Sequence, residues 1–260
     1  MFAQSHAYEP FMGRWSRRLA PSFVEFAGVQ DGESILDVGC GTGTLALAVL
    51  DAKPRAQVVG VDPAKEFVAA ARQRVKRGAR FSVGDAQDLD FSDATFDRSL
   101  SLLALNFVAD PAKALAEQIR VTRAGGVIAA AVWDYGDGMQ MLRAFWDDAV
   151  AADPAIAGRD ERHMPLSRHG ELSALWLSQG MLAVGERPLT IDTPFRAFDD
   201  FWLPFLGGQG PAGAYATGLP QIARETLRDR LRRRLQPDGF DRPFTLTARA
   251  WAVKGYVPPR

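Results

Sequence analysis

The chain has 260 residues, room for one large domain or two small ones. Its 47% apolar and 24% charged residues exclude a disordered chain. Thirty-one basic residues balance thirty-one acidic ones, so no global field draws it to nucleic acid or an anionic membrane.

A single cysteine, Cys40, excludes an internal disulfide and a cysteine-rich zinc site, and no metal centre is expected. Arg14, Arg17 and Arg18 are not followed by an apolar stretch of signal-peptide length. No apolar run reaches the roughly 18 residues of a membrane span. These readings predict a cytoplasmic protein without membrane insertion.

From Glu33 to Trp133 strand-like and helix-like segments alternate. Ser34 to Val38 is a short apolar run that ends in Gly39-Cys-Gly-Thr-Gly43. Helix is predicted from Thr44 to Leu50 and strand from Ala56 to Val61. Asp62-Pro63 then opens a helix through Phe67, Ala70 and Val75, with Pro63 in its first turn. Arg80 to Val83 and Phe96 to Leu103 are strands. Asp110-Pro111 starts a helix over Ala112 to Arg123, which Gly125-Gly126 stops. Val127 to Trp133 is apolar throughout, as a strand buried on both faces should be. Alternation of this kind predicts a parallel sheet with helices on both faces.

Near residue 134 the pattern changes. Helices are predicted over Met139–Ala151 and Leu172–Gln179, and a strand over Met181–Phe195. The stretch from Phe201 to Pro220 is rich in glycine, proline and aromatic residues, and Gly207 to Pro211 reads as a mobile lid. Ile222 to Leu235 is an arginine-rich helix whose mixed signs favour a solvated face over a nucleic-acid surface. Phe244 to Val253 alternates like a strand with one wetter face, an antiparallel edge hairpin.

The glycine run allows a sharp turn and close approach of a ligand, and the helix behind it favours negative charge. Asp62 ends the second strand nineteen residues after Gly43, where a carboxylate can accept ribose hydroxyls. Asp85, followed by Ala86, ends the third, where it can accept from an adenine amino group. Asp37, just before the glycines, can order the loop. Singly each aspartate reads as a cap or turn residue; together at successive strand ends they mark one ligand crevice.

The segments Ile35–Gly43, Val58–Asp62, Gly84–Ala86 and Arg120–Gly126 resemble the class I S-adenosylmethionine-dependent methyltransferases, most closely the ubiquinone-biosynthesis-like branch acting on small molecules. The specific likeness covers the first half. It implies a Rossmann-like, seven-stranded, mostly parallel α/β sheet with an antiparallel last strand and helical cap insertions. Residues 30–135 would be the cofactor core and 136–260 the cap, substrate side and C-terminal antiparallel strands, all in one domain. It implies S-adenosyl-L-methionine as cofactor and S-adenosyl-L-homocysteine as product. Gly39, Cys40 and Gly41 would pass under the methionine part beside Asp37, Asp62 and Pro63 would meet the ribose, and Asp85, Ala86 and Gln87 would surround adenine. Tyr8 to Trp15 resembles a segment that folds over the cofactor, with Arg14 on the methionine carboxylate and Tyr8 or Trp15 over the sulfonium; the plainer reading is a helix start with Trp15 packed for burial. Arg123-Ala124 departs from the common Lys-Pro in a turn.

Methyl transfer from a sulfonium is an in-line displacement that needs alignment more than a nucleophile. A base helps if the acceptor is a hydroxyl or protonated amine. Of His6, His163 and His169, His163 is the base candidate, against a solvated loop histidine. Asn106, beyond the fourth strand, is a candidate to orient substrate, against a turn cap. Trp133, Trp202, Phe205 and Tyr215 are candidates to line an acceptor pocket, against simple core packing. The expected partner is a small, partly apolar acceptor. Two alternatives stand beside methyl transfer. One is a cofactor-binding sensor or interaction protein without turnover. The other is a nucleotide-dependent oxidoreductase, whose Gly-x-Gly-x-x-Gly fingerprint fails at Thr44.

Overall fold

The computed structural model describes residues 8–259. Its helices are α1 (Arg14–Ala27), α2 (Thr44–Ala52), α3 (Lys65–Arg74), α4 (Pro111–Val121), α5 (Gln140–Ala152), α6 (Glu171–Ser178), α7 (Phe198–Trp202), α8 (Gly210–Gly218) and α9 (Gln221–Leu235). Its strands are β1 (Ser34–Val38), β2 (Gln57–Asp62), β3 (Ala79–Val83), β4 (Phe96–Leu102), β5 (Thr122–Trp133), β6 (Leu182–Phe195) and β7 (Phe244–Tyr256). One sheet takes all seven, in the order β3-β2-β1-β4-β5-β7-β6. The first five are parallel and β7 runs antiparallel to β5.

The order β3-β2-β1-β4 has a direct consequence for function. The chain winds outward from β1 to β3 and then returns to β4 on β1's other side, so β1 sits at the point where connections leave in opposite directions. Ligands of open α/β sheets bind outside the strand ends at such a point. Asp37 pairs with Gly60 on one side and Leu100 on the other, which places it centrally.

The strand interiors bear out the burial expected from their sequence. Ile35, Leu36 and Leu100 are fully buried, as are Ile128 to Val132 along β5. Leu36, Val38, Val61, Leu89, Phe96 and Val121 form one of the apolar clusters.

Two expectations about boundaries change and one holds. α3 begins at Lys65, beyond Pro63, because the Asp62 carboxylate takes the Ala64 amide and holds the preceding residues in a turn. Asp110-Pro111 does open α4 directly, with the Asp110 side chain accepting from the Lys113 amide. Gly125-Gly126 does not stop that helix, which has already ended at Val121; the pair lies inside β5, where the register jumps from Phe96–Thr122 to Arg98–Val127. Gly125 has a φ of +70°, and a Cβ on Gly126 would lie 2.7 Å from the Asp97 carbonyl oxygen.

Nor is β7 an edge strand. It lies between β5 and β6, with small residues Ala248, Ala250 and Ala252 buried along it, and β6 takes the edge. The wetter face predicted for β7 includes Trp251, whose ring packs 4.6 Å from that of His169.

The chain divides into two compact units. Among the described residues, the sheet unit comprises 16–133, 165–189 and 250–259, and the aromatic unit comprises 8–15, 134–164 and 190–249. Within the aromatic unit, Phe145 stacks on Phe205 at 4.5 Å and Phe11 meets Phe205 edge-on at 5.1 Å. Phe201 joins Phe195 and Phe198, all buried. The Phe201–Pro220 stretch holds the end of α7, a 3-10 turn (Leu203–Gly207) and α8, and the Gly207–Pro211 segment read as a lid joins the turn to α8. The glycines of the stretch allow close packing: a Cβ on Gly213 would come within 2.9 Å of the Gly208 carbonyl carbon. Among the arginines of α9, Arg228 pairs with Asp199 at 3.1 Å and Arg234 with Asp147 at 3.5 Å within the same unit.

Candidate cofactor site

The site forms where β1 ends. The amides of Gly39 and Cys40 both donate to the Val61 carbonyl, at 2.8 and 3.0 Å, pinning the glycine loop to β2. Asp62 completes the tie by accepting from the Gly41 amide at 3.0 Å with one oxygen and from Ala64 at 2.9 Å with the other. Gly39, Gly41 and Gly43 all have positive φ, at +76°, +50° and +80°. A Cβ on Gly39 would lie 2.3 Å from that of Ala104, whereas one on Gly41 would meet no atom within 4 Å. The loop is thus closed on one side by the turn after β4 and open at Gly41.

The carboxyl of Asp37 is 1% exposed, and neither oxygen has a hydrogen-bond partner. Desolvation and the neighbouring charge of Asp62 push its pKa up to about 8, against the pull of the Ala46 amide. Burial also raises Asp62, opposed by its two backbone amides. The Cys40 thiol is buried, and desolvation followed by the charges of Asp37 and Asp62 raises it far above the ordinary range. It is therefore held as an unreactive thiol.

At the end of β3, the exposed Asp85 accepts from the Gln87 backbone amide at 2.9 Å and from its side-chain amide at 3.1 Å. These bonds, the backbone one foremost, hold its pKa below the usual carboxylate value. The Gln87 carbonyl oxygen in turn accepts from the Asp110 amide. After β4, Asn106 sits in a 3-10 turn, 4% exposed, and its Nδ2 donor has no partner. It does not cap that turn.

A buried acidic group without a partner, a turn open at Gly41 and acceptors at three successive strand ends suit a ligand carrying positive charge, hydroxyls and an amino group. Residues 36–130 match the methyltransferase domain family. They cover the strand-loop-helix unit and the strand ends just described. Over these residues the chain is similar to the class I S-adenosylmethionine-dependent methyltransferases.

The demethylmenaquinone methyltransferase of Renibacterium salmoninarum is 34% identical over 146 residues, 56% of this chain and 59% of that one. The matched stretches span from 31% to 63% of the first curated relatives' own lengths. Two solved structures share the fold. Haemonchus contortus phosphoethanolamine N-methyltransferase 2, solved with S-adenosyl-L-methionine, is 18% identical with a TM-score of 0.60, over 98% of this chain and 57% of that one. The [4+2]-cyclase SpnF is 19% identical with a TM-score of 0.55, over 94% and 82%.

Within the matched residues the structure brings Asp37, Gly39, Cys40, Gly41, Asp62 and Pro63 together at the ends of β1 and β2. Asp85, Ala86 and Gln87 follow at the end of β3. Trp133 is 2% exposed, in the ladder where β5 meets Ala250 of β7. The remaining candidates belong to the aromatic unit. Arg14 donates to Asp200 at 2.8 Å and lies 4.2 Å over the Trp15 ring, and Trp15 packs edge-on against Phe195 at 5.3 Å. Tyr8 precedes the π-helical turn Glu9–Gly13. Trp202 and Phe205 are core residues, Tyr215 is half-buried 5.7 Å from the Trp146 ring, and His163 is exposed at the end of a 3-10 turn. His6 lies outside the described residues.

Sequence reading missed the positioning groups. Arg74 reaches both Thr42 and Thr44, at 3.2 and 3.3 Å, and Leu103 adopts a φ of +62° to bring Ala104 onto Gly39. No local signal marks a leucine for that conformation.

Proposed function

We propose that this protein transfers a methyl group from S-adenosylmethionine to a small, partly apolar acceptor. The observation that carries the reading is the convergence of Asp37, Gly41, Asp62, Asp85 and Asn106 along one edge of a parallel sheet at its topological switch point. When bound, the cofactor supplies the methyl group and its own leaving group, a thioether.

The chain's residues bind, orient and exclude water. Gly41 admits the ligand where a side chain would stand in its way. Asp62 spends one lone pair of each oxygen on the loop, leaving the others for ribose hydroxyls. Asp85, Ala86 and Gln87 border the adenine. The unpartnered Nδ2 of Asn106 holds an oxygen of the acceptor, since a buried donor left alone costs about 1–3 kcal/mol. Alignment of this kind reaches effective molarities of roughly 10⁵ M or more. Burial of Trp133, Trp202 and Phe205 supports a packing role for all three, and the exposure of His163 supports a solvated side chain.

Calorimetric titration with S-adenosylmethionine, S-adenosylhomocysteine and NADH tests the cofactor: binding of the two sulfur ligands alone is expected, and binding of NADH alone overturns the reading. The fold also serves the cyclase SpnF, so turnover is tested separately. Methyl-labelled cofactor with small quinoid and phenolic acceptors, the class named for the Renibacterium relative foremost, should yield labelled product. Binding without S-adenosylhomocysteine formation from any acceptor favours the sensor reading.

A further inference from the structure

The unpartnered carboxyl of Asp37 has a consequence beyond holding the loop. Both of its oxygens are buried without a hydrogen bond, its register partners on the flanking strands are Gly60 and the apolar Leu100, and the loop amides of Gly39, Cys40 and Gly41 are already taken by Val61 and Asp62. The groups that act on it are few. Asp62 faces it from β2, the Cys40 thiol from the loop and the Ala46 amide from α2; no basic side chain shifts it among the described residues. A second carboxylate so close, with no cation between, makes two ionised groups costly in the free protein.

We propose that Asp37 is protonated in the free protein and releases its proton to solvent when the cationic cofactor binds, so that this loop couples cofactor affinity to pH. The inference rests on the cofactor assignment above. The balance is simple: the O–H bond of the Asp37 carboxyl breaks, buffer takes the proton, and the carboxylate left behind is compensated by the ligand's positive charge. The upward shift of Asp37 to about 8 is consistent with this geometry. Below that value the free protein holds the proton and the complex does not, so affinity rises with pH. A neutral ligand of the same shape has no charge with which to expel the proton.

Titration calorimetry with S-adenosylmethionine at pH 7, in phosphate and in Tris, counts the protons. Their ionisation enthalpies differ widely, so the difference in observed heat gives protons released per site. Release of close to one proton is expected, with affinity rising up to about tenfold from pH 6 to pH 7. In Asp37→Asn both the release and the pH slope should fall to near zero. Equal heats in the two buffers for the wild-type protein overturn the proposal without touching the cofactor assignment, and this measurement needs no variant. Undiminished release in a folded Asp37→Asn protein, verified by circular dichroism, also overturns it by placing the proton elsewhere. Failure of S-adenosylmethionine to bind at all is a different result, one that removes the cofactor reading on which the proposal rests.

Discussion

Gly39 and Gly41 look alike in sequence and carry different burdens. At Gly39 a methyl group would meet Ala104 at 2.3 Å in a backbone conformation that already disfavours side chains. Gly39→Ala should therefore cost roughly 1–2 kcal/mol of backbone strain plus about 1–3 kcal/mol of overpacking, read as a lowered midpoint in denaturant. Gly41→Ala meets only the strain and should fold, while losing cofactor affinity because its methyl group projects into the open side of the loop. Equal stability loss in both variants would contradict the placement of Ala104. Asp62→Ala should weaken S-adenosylmethionine by roughly 1.5–3 kcal/mol, tenfold or more, because it removes charge-assisted contacts. Unchanged affinity on titration would sink the ribose assignment. His163→Ala should leave cofactor affinity unaltered and change stability by less than about 0.5 kcal/mol, as expected of an exposed side chain. The acidic and glycine residues were legible because each sits at a strand end. Ala104 and the pairing of Arg14 with Asp200 were not, since the partners lie far away in sequence.

Two Asp-Pro pairs show how an element's local signal is honoured or overruled. Asp110-Pro111 caps α4 as its sequence predicts, because nothing else competes for the Asp110 side chain. Asp110→Ala should cost about 1 kcal/mol of stability in denaturant titration; no change would mean the cap bond is not formed. Asp62-Pro63 carries the same signal, but the loop claims Asp62 through the Gly41 amide and the helix starts two residues past the proline. In the aromatic unit, the stretch from Phe201 to Pro220 is rich in glycine and proline, which gives the backbone freedom to be irregular. Burial of Phe198, Phe201, Trp202 and Phe205 accompanies short helices on either side of Gly208-Gln209. Composition reports the freedom of a backbone, whereas packing decides whether the freedom is used.

Across the whole molecule, stability should respond to pH from both sides. Glu161 is buried and accepts from the Trp146 indole at 2.7 Å; desolvation, only partly offset by that bond, raises its pKa to about 7. Asp37 is raised to about 8. Each keeps a proton in the folded state that it loses when unfolded, so the stability it contributes is full below its unfolded value near 4 and is lost as pH climbs to 7 or 8. Asp160 behaves oppositely. Burial works against its ionisation, but bonds from Arg143 and Arg162 outweigh it and hold the pKa low, so its contribution is lost as pH falls. Thermal unfolding should therefore show a maximum on the acid side of neutrality. Glu161→Gln and Asp37→Asn should each raise the midpoint at pH 8 more than at pH 5. Because the two carboxyls belong to different units and share no partner, their effects should add. A wild-type midpoint that keeps rising to pH 8 would contradict both assignments.

The sequence by itself determined the parallel βα framework, the glycine loop and the aspartates at the strand ends. These follow from periodicity and from turn chemistry, which act over a few residues. Tertiary structure alone decided that β7 lies inside the sheet, that the glycine pair after α4 bends a strand, and that the aromatic stretch is core. It alone left Asp37 without a partner. Each of those outcomes depends on which distant group occupies the neighbouring space, and that is set by the packing of the folded chain.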